Sequence, residues 1–137
     1  MKRRNAALAL ASLPSAVHAQ VGTAALIAAA ERGDVAALRR LLDGGAAINA
    51  RDPRGRTAVL AATQGGHEAA ARLLIERGAD VNAQDDIDDS AFLLAGARGH
   101  SGIVRAALGA TPPPDFKRVN RYGGTALIPA CHHGHVD

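Results

Sequence analysis

The sequence predicts an all-α solenoid of short helix pairs stacked side by side, and two observations predict it. The first is a repeat. Gly33, Gly66 and Gly99 stand 33 residues apart, and the same spacing relates His67 to His100, Gly45 to Gly78, Asn49 to Asn82 and Thr57 to Ser90. A period near 33 marks a stacked helical array, in which each unit buries its apolar face only against its neighbours. The second is composition. Apolar residues make up 47% of the chain but aromatic residues only 2%, so alanine fills most apolar positions. A core of Ala, Leu, Ile and Val suits closely approaching helices and argues against a deep aromatic ligand pocket.

The elements follow in order. Residues 1–19 open with Lys2, Arg3 and Arg4, continue through the apolar run from Ala6 to Leu13, and end in Val17-His18-Ala19 before Gln20. A charged region, a short apolar region and a small-residue cleavage site form the layout of a signal peptide. They predict an exported, periplasmic protein with a mature domain over 20–137. The competing reading is an N-terminal helix that caps the stack, since alanine favours helix.

The first unit, 21–51, has an inner helix from Ala25 to Arg32, a break at Gly33-Asp34, and an outer helix from Val35 to Asp43 with Leu38, Leu41 and Leu42 on one stripe. The second, 52–84, is the most regular. Gly55 marks a turn and Thr57 is the N-cap of the inner helix. Gly65 and Gly66 can stop that helix with a positive φ, and Gly78 can stop the outer one. Ile48 and Val81, one period apart, are expected as buried anchors.

The third unit, 85–117, has an acidic turn, an inner helix from Ser90 to Arg98 and an outer helix from Ile103 to Leu108. Pro112, Pro113 and Pro114 then end the regularity, because proline cannot continue a helix. The longer loop places Phe116 at the Val81 position. The fourth unit, 118–137, is incomplete. Its inner helix, from Ala126 to His133, presents Leu127 and Ile128 with no outer helix to cover them. This predicts a fragment of a longer protein.

The order Gly-x-Thr, Gly-His, Leu-Leu, Gly-Ala-Asp-Val-Asn-Ala is carried by Gly55, Thr57, Gly66, His67, Leu73, Leu74 and the run from Gly78 to Ala83. Over 52–84 it resembles an ankyrin repeat. The resemblance implies antiparallel helix pairs joined by β-hairpin-like loops. It also implies binding of another protein, without catalysis, through the hairpin tips and the concave inner-helix face. By position, that surface comprises Arg51, Arg54, Arg56, Gln64, Asp85, Asp86, Asp88, Arg98, Arg121, Tyr122, His132 and His133. One departure matters. Ankyrin repeats usually open the inner helix with Thr-Pro-Leu-His. Here Ala25, Ala58, Ala91 and Ala126 take the proline position, and Ile27, Leu60, Leu93 and Ile128 the histidine position. The family's Thr-to-His hydrogen-bond network cannot form, so apolar contact between inner helices has to replace it.

Charge narrows the classes further. Lys2, Arg3 and Arg4 account for the whole formal charge of +3. The remainder is neutral and gives no argument for nucleic acid. No apolar run reaches the roughly 18 residues that span a bilayer, so no stable membrane insertion is expected after signal cleavage. The single cysteine, Cys131, excludes an intrachain disulfide. No phosphate loop, nucleophile elbow or zinc-protease helix is present, and no cofactor is expected.

Cys131, His132, His133 and His135 are metal-capable. They define an alternative reading, a metal-binding or enzymatic protein. However, His135 belongs to the Gly-His pattern of His67 and His100, and adjacent helical residues do not converge on one ion. No metal site is therefore expected.

Asp85, Asp86, Asp88 and Asp89 crowd one hairpin tip without the spaced pattern of a calcium loop. They form a solvated acidic fingertip or a contact for a basic partner. Arg51, Arg54 and Arg56 lie on the preceding tip, and Lys117, Arg118 and Arg121, beside Tyr122, on the following one. The tips thus alternate basic, acidic, basic, and Arg and Tyr are enriched at binding hot spots. A purely structural piece of a longer array is the third class.

Overall fold

Helices this short need their ends tied, and the chain supplies a tie at the start of two inner helices. The Thr57 hydroxyl accepts from the Leu60 N–H at 3.4 Å, and the Ser90 hydroxyl accepts from the Leu93 N–H at 3.2 Å. The Asp34 carboxylate does the same for an outer helix, accepting from the Ala37 N–H at 3.1 Å. Each bond satisfies one of the orphan donors of a helix N-terminus. The inner helices end at Gly33, Gly66 and Gly99, whose φ values of 69°, 72° and 73° turn the chain at once into the outer helix. Of the Gly65-Gly66 pair, Gly66 alone supplies the positive φ, since Gly65 keeps a right-handed conformation at −79°.

The computed structural model describes the backbone of residues 15–123 and the side chains of residues 22–123. Its helices are α1 (Ser15–Arg32), α2 (Val35–Asp43), α3 (Ala58–Gln64), α4 (Glu68–Glu76), α5 (Ala91–Arg98) and α6 (Ser101–Leu108). The inner helices α1, α3 and α5 pack side by side, the outer helices α2, α4 and α6 form the second layer, and each pair is joined through its own turn. The loops between pairs contain no strand among the described residues. Backbone bonds tie them instead, such as Asp52 N–H to the Arg56 carbonyl at 3.0 Å and Asp85 N–H to the Asp89 carbonyl at 2.9 Å. This is an all-α solenoid of about three repeats.

Three boundaries differ from the expectation. α5 begins at Ala91 rather than Ser90, which is its N-cap. α1 begins at Ser15 rather than Ala25, and so runs through the Ala19–Gln20 junction. Its alanine-rich sequence supports continuous helix. α6 begins at Ser101 rather than Ile103, directly after His100. The expected fourth inner helix, Ala126 to His133, lies outside the described residues.

The core is the seam between the layers. Leu26, Leu38, Leu60, Leu74, Phe92 and Ile103 are fully buried, with alanines such as Ala29, Ala62 and Ala95 between them. Ile27, Leu60 and Leu93, at the positions where the repeat pattern carries histidine, are buried as well. Full burial of such a side chain stabilises by about 1.5–3 kcal/mol, so apolar packing does replace a polar ladder here. Val81 is buried as expected, but Ile48 is only half-buried at the margin of the core.

Asparagines tie successive units together. Asn49 Oδ1 accepts from the Asp80 N–H at 2.8 Å. One period on, Asn82 Oδ1 accepts from the Asp115 N–H at 2.7 Å while its Nδ2 donates to the Pro113 carbonyl at 2.8 Å. Asn82 thereby holds the proline-rich loop onto the stack.

Candidate functional site

Each described loop tip is built around one short polar side chain, an aspartate in two of them and an asparagine in the third. Asp52 Oδ1 accepts from the N–H groups of Arg54 and Arg56, both at 2.9 Å. Asp85 Oδ1, one period later, accepts from Ile87 at 3.1 Å and Asp89 at 2.9 Å. Asn120 Oδ1 accepts from Tyr122 at 2.9 Å. Asp and Asn suit this role because their short side chains reach the backbone of the next few residues. The consequence corrects the sequence reading of the acidic fingertip. Asp85 is only 8% exposed and its carboxylate is engaged inside its own turn, so it is not part of a solvated surface. Asp86 and Asp88 are exposed and Asp89 is half-buried.

Arg56 also turns inward. Its Nη2 pairs with Glu31 Oε1 of α1 at 2.7 Å, its Nε with Asp52 Oδ2 at 2.8 Å, and its Nη1 donates to Gln64 Oε1 of α3 at 3.2 Å. Burial by itself pushes the Asp52 carboxyl up. The N–H and guanidinium of Arg56, with the Arg54 N–H, outweigh that and hold the carboxyl below its ordinary value. Burial likewise opposes the charge on Arg56, and Asp52 and Glu31 more than reverse the effect. Arg56 and Gln64 therefore direct these polar atoms at the chain itself.

Arg51 and Arg98 are exposed but anchored. Arg51 Nη1 donates to the Gln84 carbonyl at 2.9 Å, and Arg98 Nη1 to the Gln64 carbonyl at 2.8 Å. Further bonds lock tip to tip. The Asp86 N–H donates to the Arg54 carbonyl at 3.0 Å. Gln84 Nε2 donates to the carbonyls of Asp88 at 2.7 Å and Val119 at 2.9 Å, while Arg118 Nη1 donates to Gln84 Oε1 at 3.1 Å. The tips thus form one rigid strip, from which Arg54, Asp86, Asp88, Arg121 and Tyr122 project into solvent. The Arg121 guanidinium carbon lies 4.9 Å from the centroid of the Tyr122 ring, a cation–π contact.

The third tip departs from its neighbours at two positions. Asp88 stands where the flanking tips have Gly55 and Gly123, and it adopts φ 61° beside their 77° and 76°. A left-handed conformation costs a non-glycine residue about 1 kcal/mol, and aspartate is among those that tolerate it best. Asp89 stands one period after Arg56. Burial raises its carboxyl, and the charge of Asp85 adds to that, against smaller opposite effects of Arg121 and Arg98. A carboxylate thus replaces the guanidinium clamp of the second tip.

A groove of about 540 Å³ lies elsewhere, on the outer helices α4 and α6, lined by Arg72, Ile75, Glu76, Arg105 and Thr111 among others. At its edge the Glu68 carboxylate occupies the space that a side chain at Gly102 would need. Among the described residues no helix is long and apolar enough to cross a membrane. The site residues His132 and His133, with Cys131 and His135, lie outside the described residues. Sequence reasoning missed Leu108, Phe116 and Val119, which are exposed. The available signal was positional, since Leu108 follows Ile75 by one period and needs the same cover.

The family model for ankyrin repeats (3 copies) matches residues 4–85. The fold is similar to a solved ankyrin repeat domain from Acinetobacter baumannii, 48% identical, with a TM-score of 0.74, over 81% of this chain and 56% of that one. It is similar also to a second solved ankyrin repeat protein, 38% identical, with a TM-score of 0.75, over 82% of this chain and 57% of that one. The chain thus spans little more than half the length of these structures. No curated protein matches it.

Proposed function

Because this chain belongs to the ankyrin repeat family, we propose that it is a protein–protein interaction module that holds its partner on the hairpin tips and the concave inner-helix face and carries out no chemistry of its own. Ankyrin repeats generally bind other proteins. The observation that supports this binding mode is the rigid strip of tips, which presents Arg54, Asp86, Asp88, Arg121 and Tyr122 from loops already bonded to one another. Loops ordered before binding lose little further entropy when a partner docks.

The exposed carboxylates provide the test. Asp85 is left in place, because reversing it would break the turn. With a partner isolated by affinity capture, Asp86→Lys/Asp88→Lys is expected to slow association by about tenfold at low ionic strength, with the gap closing as salt is added. The far-ultraviolet circular dichroism should not change. Unaltered association kinetics would remove this tip from the binding surface.

In the same reading residues 1–19 direct export, and the mature chain begins at Gln20. The continuity of α1 from Ser15 favours a second reading, in which this segment stays in the first inner helix. Intact mass of the protein recovered from the periplasm separates them. Loss of residues 1–19 is the expected result, and a product retaining Lys2, Arg3 and Arg4 would overturn it.

A further inference from the structure

Gln84 carries bonds from the second tip through the third to the fourth. It follows Arg51 by one period, and Val119 follows it by one period plus the two residues inserted at the prolines. Each donor at this position reaches the main-chain carbonyl of its successor. Arg51 Nη1 donates to the Gln84 carbonyl at 2.9 Å, and Gln84 Nε2 donates to the Val119 carbonyl at 2.9 Å. Valine has no side-chain donor, so the ladder ends there. The half-buried Gln84 side chain also does what Arg51 does not. Its Nε2 donates a second time, at 2.7 Å, to the Asp88 carbonyl within its own tip. A primary amide has two N–H groups, and this one spends them on two different tips.

The bond within the tip falls where the backbone needs it. Asp88 takes φ 61° at the position that Gly55 and Gly123 fill in the flanking tips. Left-handed backbone is unfavourable for a residue with a Cβ, and glycine holds it without support. The oxygen of the amide matters less. It accepts from Arg118 Nη1 at 3.1 Å, but Arg118 is also paired with Asp115 at 3.6 Å and so has a second anchor.

We propose that Gln84 is the positioning residue of the binding strip. Its two N–H groups hold the left-handed backbone of Asp88 and lock the third tip to the fourth. They thereby set the spacing between the Asp86 and Asp88 carboxylates and the Arg121–Tyr122 pair. The inference rests on the interaction-module reading and names the residue that fixes the geometry of its surface. Gln84 acts through the tips and not by touching a partner. Tips held in this way have less freedom left to lose on docking.

Amide hydrogen exchange, followed by nuclear magnetic resonance on the full 137-residue chain, tests this without a partner. The amides that report are those bonded inside each tip: Arg54 and Arg56 in the second, Asp88 and Asp89 in the third, Tyr122 and Gly123 in the fourth. In Gln84→Ala the third and fourth sets are expected to exchange about tenfold faster. The second set should not change, because Arg51 bonds the main-chain carbonyl of residue 84, which survives the substitution. Gln84→Glu keeps the size and the acceptor but has no donor at neutral pH, and should match Gln84→Ala. Gln84→Ala/Asp88→Gly separates the two bonds. Glycine should return the amides at 88 and 89 to about the parental rate and leave Tyr122 and Gly123 fast. Parental exchange in Gln84→Ala or Gln84→Glu would overturn the proposal. So would equal acceleration at all three tips, which marks a general loss of stability, and no recovery with glycine would overturn the assignment at Asp88. The charge reversal at Asp86 and Asp88 tests the interaction reading itself, so each can fail without the other.

Discussion

Gly33→Ala is expected to lower the unfolding free energy by about 3 kcal/mol, whereas Gly78→Ala should cost only about 1 kcal/mol. Both glycines end a helix with a positive φ, 69° at Gly33 and 94° at Gly78, so both variants carry the left-handed penalty. The sites differ in what a Cβ would meet. At Gly78 nothing lies within 4 Å, but at Gly33 the new atom would fall 2.5 Å from His67 Nδ1. His67 cannot swing away freely, because its Nε2 lies 2.9 Å from the Glu31 carbonyl. A carbonyl only accepts, so Nε2 carries the proton in this bond. Urea denaturation followed by circular dichroism measures both costs. The double variant Gly33→Ala/His67→Ala should recover the crowding part and leave the backbone part, giving a clear coupling energy. Equal costs at Gly33 and Gly78 would mean that the ring gives way and that the inter-unit bond is weak.

That contrast shows what the sequence could and could not reveal. Helix ends were legible where the signal was local. Thr57 caps as expected, Gly66 and Gly78 take the positive φ, and α2 spans Val35–Asp43 as the apolar stripe indicated. The start of α1 was not legible, because an alanine-rich run satisfies helix propensity and an export signal alike. On the tips the sequence shows charge clusters without telling inward from outward. Which arginine turns in depends on Glu31, which is distant in sequence and meets Arg56 only after the helices stack. The repeat itself carries one clue. Asp52 and Asp85 share a repeat position, so a turn-forming role for one implied it for the other, and Asp85 could have been taken off the surface.

The inward arginine carries the second large effect. Arg56→Met keeps most of the apolar stem but removes the guanidinium that joins Glu31, Asp52 and Gln64, and about 2 kcal/mol of stability should go with it at pH 7. An exposed pair would matter far less, but the Arg56 and Asp52 side chains are only 18% and 13% exposed. The sign of the pH dependence follows from Asp52. Its folded carboxyl titrates below the ordinary value, so the stability it contributes is present above that ordinary value and is lost as pH falls through the folded one. Asp89 acts in the opposite sense, since its raised carboxyl is a penalty that disappears in acid. That term is common to both proteins and cancels in the comparison. The gap between Arg56→Met and the parent should therefore be widest near neutrality and shrink once pH drops below about 4, where Asp52 begins to take up protons in the unfolded chain. Chemical denaturation at a series of pH values tests this directly. A gap of constant size down to pH 3 would show that Arg56 stabilises through its stem and its bond to the uncharged Gln64, and not through the Asp52 carboxylate.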